Sequence, residues 1–134
     1  MLVSTKGRYA LRVMLMLAEN YNGEYLQLDS IAAAEDISEK YLESIVRNLV
    51  RAHMIEGVRG RGGGYRLTRN PSDYSVGEIL RVSEGSLAPV SCLDCTSKKC
   101  NREDICKTRP MWQKLDKLIC DYLDNITLTD LNEQ

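Results

Sequence analysis

Residues 29–68 constrain the fold of this chain more than any other stretch. Asp29 is placed to cap a short helix, SIAAAED, and Ile37 with Ser38 makes a brief turn. Ser38 then caps a second helix running through EKYLESIVRNLVRAH. Leu42, Ile45, Val46 and Leu49 recur at helical spacing, so one face of that helix must be buried. Lys40, Ser44, Arg47 and Arg51 line the opposite face. Residues 54–59 read as a strand, and 60–64 as a hairpin tip with glycine at four of its five positions. Residues 65–68 form the returning strand. A short helix, a tight turn, an amphipathic helix with a basic face and then a hairpin make a winged helix-turn-helix.

The flanks agree. Over residues 5–20, Ala10, Val13, Met14 and Leu17 mark an amphipathic helix, Asn22 and Gly23 a turn, and Tyr25 and Leu26 a short extended piece. The net charge of −1 conceals an asymmetry. Between residues 40 and 69, Lys40, Arg47, Arg51, Arg59, Arg61, Arg66 and Arg69 face only Glu43 and Glu56 as acids. A basic helix face alone is the ordinary solvated state of a surface helix. A glycine hairpin alone is a permissive turn or a phosphate loop, but GRGGGY lacks the G-x4-G-K-[ST] order and no helix follows it. Together, a basic helix face and a glycine tip flanked by Arg59, Arg61, Arg66 and Arg69 form a footprint for double-stranded DNA. Glycine lets the tip backbone approach a phosphate without side-chain clash.

The cysteines carry a second signal. Four of the five lie within fifteen residues, as Cys92, Cys95, Cys100 and Cys106 in C-x2-C-x4-C-x5-C, and none lies upstream. Packing uses scattered small apolar residues, whereas a metal needs thiolates close together on a polar loop; this run suits zinc or an iron–sulfur cluster. No apolar stretch approaches the roughly 20 residues needed to span a bilayer, and the N-terminus is not that of a signal peptide. A cytoplasmic protein with reduced thiols is expected, and the odd count of five argues against a disulfide framework. Asp94, Glu103 and Asp104 could substitute as ligands, although a soft iron site prefers thiolate. His53, the single histidine, falls at the end of the basic helix and suits a capping or core role.

Pro110 opens a last long helix of about 16 residues, a rod of roughly 24 Å. Met111, Leu115, Leu118 and Tyr122 form one stripe, and Trp112, Ile119, Leu123 and Ile126 widen it, with Cys120 beside them as a small apolar residue. So broad an apolar face after a polar loop suits crossing with the same helix of a second chain. Thr127 and Asp130 form a capping box for a short final turn. The expected architecture is mainly α with a small β-wing. Residues 1–84 form a winged helix-turn-helix domain, 85–108 a cysteine-rich loop, and 109–134 a dimerisation helix and tail.

Across nearly the whole length, STKGRYALRVMLMLA, ISEKYLESIVRNLVRAHMI, VRGRGGGYRL, SVGEIL and the late cysteines resemble the Rrf-type (IscR/NsrR/CymR) winged-helix transcription regulators, in particular their IscR-like members. The resemblance implies a homodimer on an imperfect palindrome, often with a 2Fe–2S cluster that alters DNA binding, and in IscR-like members control of cluster-assembly genes. It places Glu43 at a position that tunes sequence choice; on residue chemistry alone Glu43 is also a salt-bridge partner for Arg47. With Tyr41 beside it, the DNA-contact set is Lys40, Tyr41, Glu43, Ser44, Arg47, Arg59 and Arg61. The metal set is Cys92, Cys100 and Cys106, with Cys95 as candidate fourth ligand, because this chain departs from the family pattern of three cysteines and a histidine. Arg109 stands at the histidine position and has no lone pair to give. Arg8 stands where the nitric-oxide-sensing branch has a carboxylate. Structural zinc, or a thiol- or partner-switched regulator of cysteine metabolism, stays open as the alternative. An enzyme is not expected, since one histidine and no Ser/His/Asp set or paired acids leave little to catalyse with.

Overall fold

A computed structural model describes residues 3–94 and 100–134. Six helices and one hairpin follow in order: α1 (Thr5–Glu19), α2 (Leu28–Glu35), α3 (Glu39–Arg51), β1 (Ile55–Val58), β2 (Gly64–Leu67), α4 (Val76–Glu84), α5 (Arg109–Asp124) and α6 (Leu128–Asn132). None of the described helices is long and apolar enough to cross a membrane. The mainly helical fold with a two-stranded wing is the one the sequence pattern calls for.

The periodicities found in the sequence become the core. Ala10, Val13, Met14 and Leu17 of α1 meet Leu42, Ile45, Val46 and Leu49 of α3, with Met54, Ile55, Tyr74 and Ile79 closing the cluster. Ser38 caps α3 as expected, its hydroxyl accepting from the Tyr41 N–H at 3.2 Å. The strand ends move by a residue, to Ile55–Val58 and Gly64–Leu67, α5 begins one residue early at Arg109, and two further helix boundaries differ from expectation. Asp29 is not the cap of α2; Gln27 stands there, and Asp29 lies in the first turn with its carboxylate accepting from Ser30 N–H at 2.8 Å. The reason is the preceding residue. Leu26 exchanges two backbone hydrogen bonds with Tyr65, at 2.9 and 2.7 Å, so the extended piece ends there and the helix begins at once. Likewise α3 stops at Arg51 rather than continuing to His53. His53 takes the left-handed conformation (φ 61°), its N–H bonding Val50 O and that of Met54 bonding Leu49 O. That is a Schellman closure, with Leu49 and Met54 as its buried apolar contact. His53 thus caps the helix through its backbone.

The wing is anchored rather than appended. Ile55 pairs Leu67, Glu56 pairs Arg66, Gly57 pairs Tyr65 and Val58 pairs Gly64. Tyr74, fully buried, donates from its hydroxyl to Met54 O at 2.6 Å and accepts from the N–H groups of Thr68 and Arg69. One phenol therefore ties both strands of the hairpin base to the core. The C-terminus returns to the same body: Val76 N–H bonds Ile126 O, Leu128 N–H bonds Tyr74 O, and the Leu128 side chain enters the main core. The Thr127–Asp130 capping box forms as read from the sequence, with both reciprocal bonds present.

Candidate nucleic-acid interface and cysteine loop

Helix α3 presents the expected face. Lys40, Tyr41, Glu43, Arg47 and Arg51 are exposed, and Ser44 is half-buried with its hydroxyl donating to Tyr41 O at 2.8 Å. The Tyr41 ring meets Tyr9 of α1 edge-on at 5.8 Å, and Arg12 lies over Tyr9 at 5.2 Å while pairing with Glu35. Tyr41 is thereby held at the start of the face by an aromatic neighbour that the sequence reading did not single out. No ion pair joins Glu43 to Arg47 among the described residues, and Glu43 is exposed.

At the wing the four arginines divide into two pairs. Arg66 lies over Tyr25 and pairs with Glu56 at 2.6 Å, while Arg69 lies over Tyr74 and pairs with Glu78 at 2.9 Å. Both guanidinium groups are held in the charged form by these carboxylates, and both brace the hairpin. Arg59 and Arg61 are exposed at the tip, with no ion pair among the described residues. The tip is tight because glycine permits it: Gly60 and Gly62 have φ of 95° and 73°, and Gly63 N–H closes on Gly60 O at 3.0 Å. A side chain at Gly64 (φ 135°) would strike the Leu26 carbonyl, so glycine is needed where the extended piece crosses the wing.

Between α3 and the wing runs an open channel of about 720 Å³ lined by Glu43, Arg47, Arg51, Arg59 and the Gly60 backbone, with Val46, Val50 and Val58 along its floor. Gln27, at the N-cap of α2, reaches the same channel. Sequence reasoning missed it because nothing in the hydrophobic period marks a residue one place before a helix. Arg47 and Arg51 on the α3 side and Arg59 on the wing side give both walls of the channel positive charge.

The cysteine loop leads into α5. Cys92 lies in a single helical turn (Ser91–Leu93), and Cys92, Cys100 and Cys106 are half-buried free thiols. Cys95 lies outside the described residues. The Arg102 N–H points at the Cys100 sulfur at 3.5 Å. Cys106 stands 3.3 Å from the Thr108 hydroxyl; that hydroxyl, then the backbone N–H groups of Thr108 and Arg109, hold its thiol below the ordinary cysteine range. Arg109, at the position where the resemblance places a histidine, pairs with Glu103 at 3.4 Å. Among the described residues no three Cys, His, Asp or Glu side chains lie close enough together to hold one ion. The donor chemistry nonetheless suits a soft metal: Cys92, Cys100 and Cys106 bring half-buried thiols to one short loop, and the pKa of Cys106 is lowered. Cys120, on α5, is half-buried as its position beside the stripe implied.

The sequence and fold are similar to those of known regulators. A family model described as Rrf2, iron-dependent transcriptional regulator, matches residues 3–134. The transcriptional regulator CymR of Bacillus subtilis is 37% identical over 131 residues, covering 98% of this chain and 89% of that protein. The transcriptional regulator NsrR of Geobacillus kaustophilus is 36% identical over 125 residues, 93% of this chain and 85% of that one. The solved structure of T. potens IscR superposes with a TM-score of 0.78 at 37% identity, over 99% of this chain and 87% of that one. With the wing, the α3 face and this likeness along its whole length, the chain belongs to the Rrf2 family of winged-helix, DNA-binding transcription regulators.

Proposed function

We propose that this chain acts in the cytoplasm as a homodimer on a palindromic operator, and that its DNA affinity responds to a 2Fe–2S cluster held by Cys92, Cys100 and Cys106 with Cys95 as fourth ligand. One observation carries the reading: four thiols lie within fifteen residues just ahead of α5, and the Thr108 hydroxyl beside Cys106 lowers its pKa. The iron-dependent description of the family supports iron over zinc. When bound, such a cluster supplies a one-electron couple, and an all-cysteine set lowers its potential relative to a mixed Cys/His set. Arg109 cannot ligate, and its guanidinium pairs with Glu103 instead.

The division of labour follows the chain. In residues 1–84, Lys40, Tyr41, Ser44 and Arg47 meet the major groove and its phosphates, Glu43 selects among base edges, and Arg59 and Arg61 engage phosphates beside the wing. Residues 85–108 form the sensing loop. In residues 109–134, α5 crosses its counterpart in the second protomer. Supporting that crossing, Met111, Leu118 and Tyr122 stand 52%, 60% and 69% exposed along one stripe, an apolar surface unsuited to water. A change in the loop at the start of α5 would then alter the tilt of two recognition helices together.

A second reading, a thiol- or partner-switched regulator, is favoured by the acidified Cys106 and by the likeness to CymR, described for B. subtilis as the global cysteine regulator. Anaerobic purification, with an absorption spectrum and iron, sulfide and zinc analysis on one sample, separates the possibilities. Brown protein with iron equal to sulfide is the expected result. Colourless protein with stoichiometric zinc would make the loop structural. Absence of metal after anaerobic reconstitution would leave the thiol switch.

A further inference from the structure

The C-terminal end of α5 is fastened to α4. Arg81 of α4 grips the Asp124 carboxylate with both terminal nitrogens, at 2.6 and 3.0 Å. Gly77, one turn earlier on the same face of α4, makes room for that carboxylate; a Cβ there would strike Asp124 Oδ1. The Arg81 guanidinium is held firmly charged, chiefly by this bond and further by the Cys120 sulfur. Two residues beyond Asp124, Ile126 O accepts from Val76 N–H at 2.8 Å, and Leu123 and Ile126 pack on Val76, Leu80 and Leu87. Helix α5 buries no residue fully. From Asp124 at this fastened end to Arg109, the helix spans about 22 Å. A tilt of about 5° at the tether moves the far end, where the cysteine loop enters, by about 2 Å.

We propose that Arg81 and Asp124 are positioning residues for operator binding: their bidentate pair, seated on Gly77, sets the angle between α5 and the winged domain and thereby the separation of the two recognition helices in a dimer. The inference rests on the α5-mediated dimer proposed above. Arg81 and Asp124 are 39% and 41% exposed at their side chains, and an ion pair this open adds little to global stability. Two hydrogen bonds in one plane nonetheless fix direction, which a single contact or the apolar packing of Leu123 does not. Adjacent base pairs are rotated about the duplex axis, so a dimer with a rigid angle tolerates one half-site spacing and a loosened one tolerates several.

The test uses full-length protein and a duplex selected by the wild type from a randomised pool. Affinity is then measured by fluorescence anisotropy on that palindrome and on versions with one base pair added or removed between half-sites, with sedimentation reporting dimer mass. Wild type is expected to prefer its own spacing by at least about tenfold, the order of one helix's base contacts. Arg81→Ala and Asp124→Asn are expected to remain dimeric and to reduce that preference to about threefold or less. The exchange Arg81→Asp with Asp124→Arg is expected to restore much of it. Variants that keep the wild-type spacing profile, or lose affinity equally on every spacing and on a lone half-site, would overturn the positioning role. A wild type that binds as a monomer with no spacing preference would instead overturn the dimer reading beneath it.

Discussion

If Arg59 and Arg61 contact phosphates as proposed, replacing both by alanine should change how DNA binding depends on salt by an amount that follows from two lost contacts. These two arginines stand at the wing tip without an ion pair among the described residues, whereas Arg66 and Arg69 are neutralised by Glu56 and Glu78. Each cation that neutralises a phosphate releases counterions worth about 0.9 in the slope of log K against log salt. Losing two contacts should flatten the slope by about 1.8. Between 50 and 200 mM salt, a fourfold rise, wild-type affinity should therefore fall about twelvefold more than that of the double variant. The matched control is Arg66→Gln with Glu56→Gln, which deletes a charged pair without changing net charge and should leave the slope unaltered. Fluorescence anisotropy of a labelled operator duplex at several salt concentrations supplies both numbers. A double variant with the wild-type slope, or a control that flattens it equally, would refute the assignment of phosphate contact to the tip.

Other changes probe the scaffold and the loop. Gly64→Ala forces a side chain onto the Leu26 carbonyl at φ 135° and should cost about 1–3 kcal/mol or more in urea unfolding, with the wing affected first. Leu128→Ala, although only six residues from the end of the chain, should cost about 2–5 kcal/mol, because Leu128 is fully buried in the main core; an unchanged midpoint would show α6 to be dispensable. If Cys95 is the fourth ligand, Cys95→Ser should lower bound iron after anaerobic reconstitution. Adding Arg109→His should recover it with a shifted visible spectrum, whereas full iron in the single variant would exclude Cys95.

Features carried by local spacing were legible in the sequence. The α1 and α3 stripes, the Ser38 cap, the glycine wing and the Thr127–Asp130 box all rest on residues a few places apart, and each forms as expected. Features that depend on distant partners were not. Tyr74 sits in an unremarkable NPSDYS stretch, yet its hydroxyl organises the hairpin base. Arg66 and Arg69 read as wing charge in the sequence, but Glu56 and Glu78 pair with them in the fold. Arg81 and Asp124 are 43 residues apart, and no periodicity links them. Asp29 was misplaced as a cap because the strand-like bridge at Leu26, formed with Tyr65 far along the chain, decides where α2 begins.

The most direct test of cluster-responsive regulation compares one sample in two states. Protein purified anaerobically is divided into reconstituted and metal-free portions, and both are titrated onto the same selected duplex and several variants of it. Affinities differing by about tenfold or more on at least one duplex, a coupling of about 1.4 kcal/mol, are expected. Equal affinities across the whole set would contradict it.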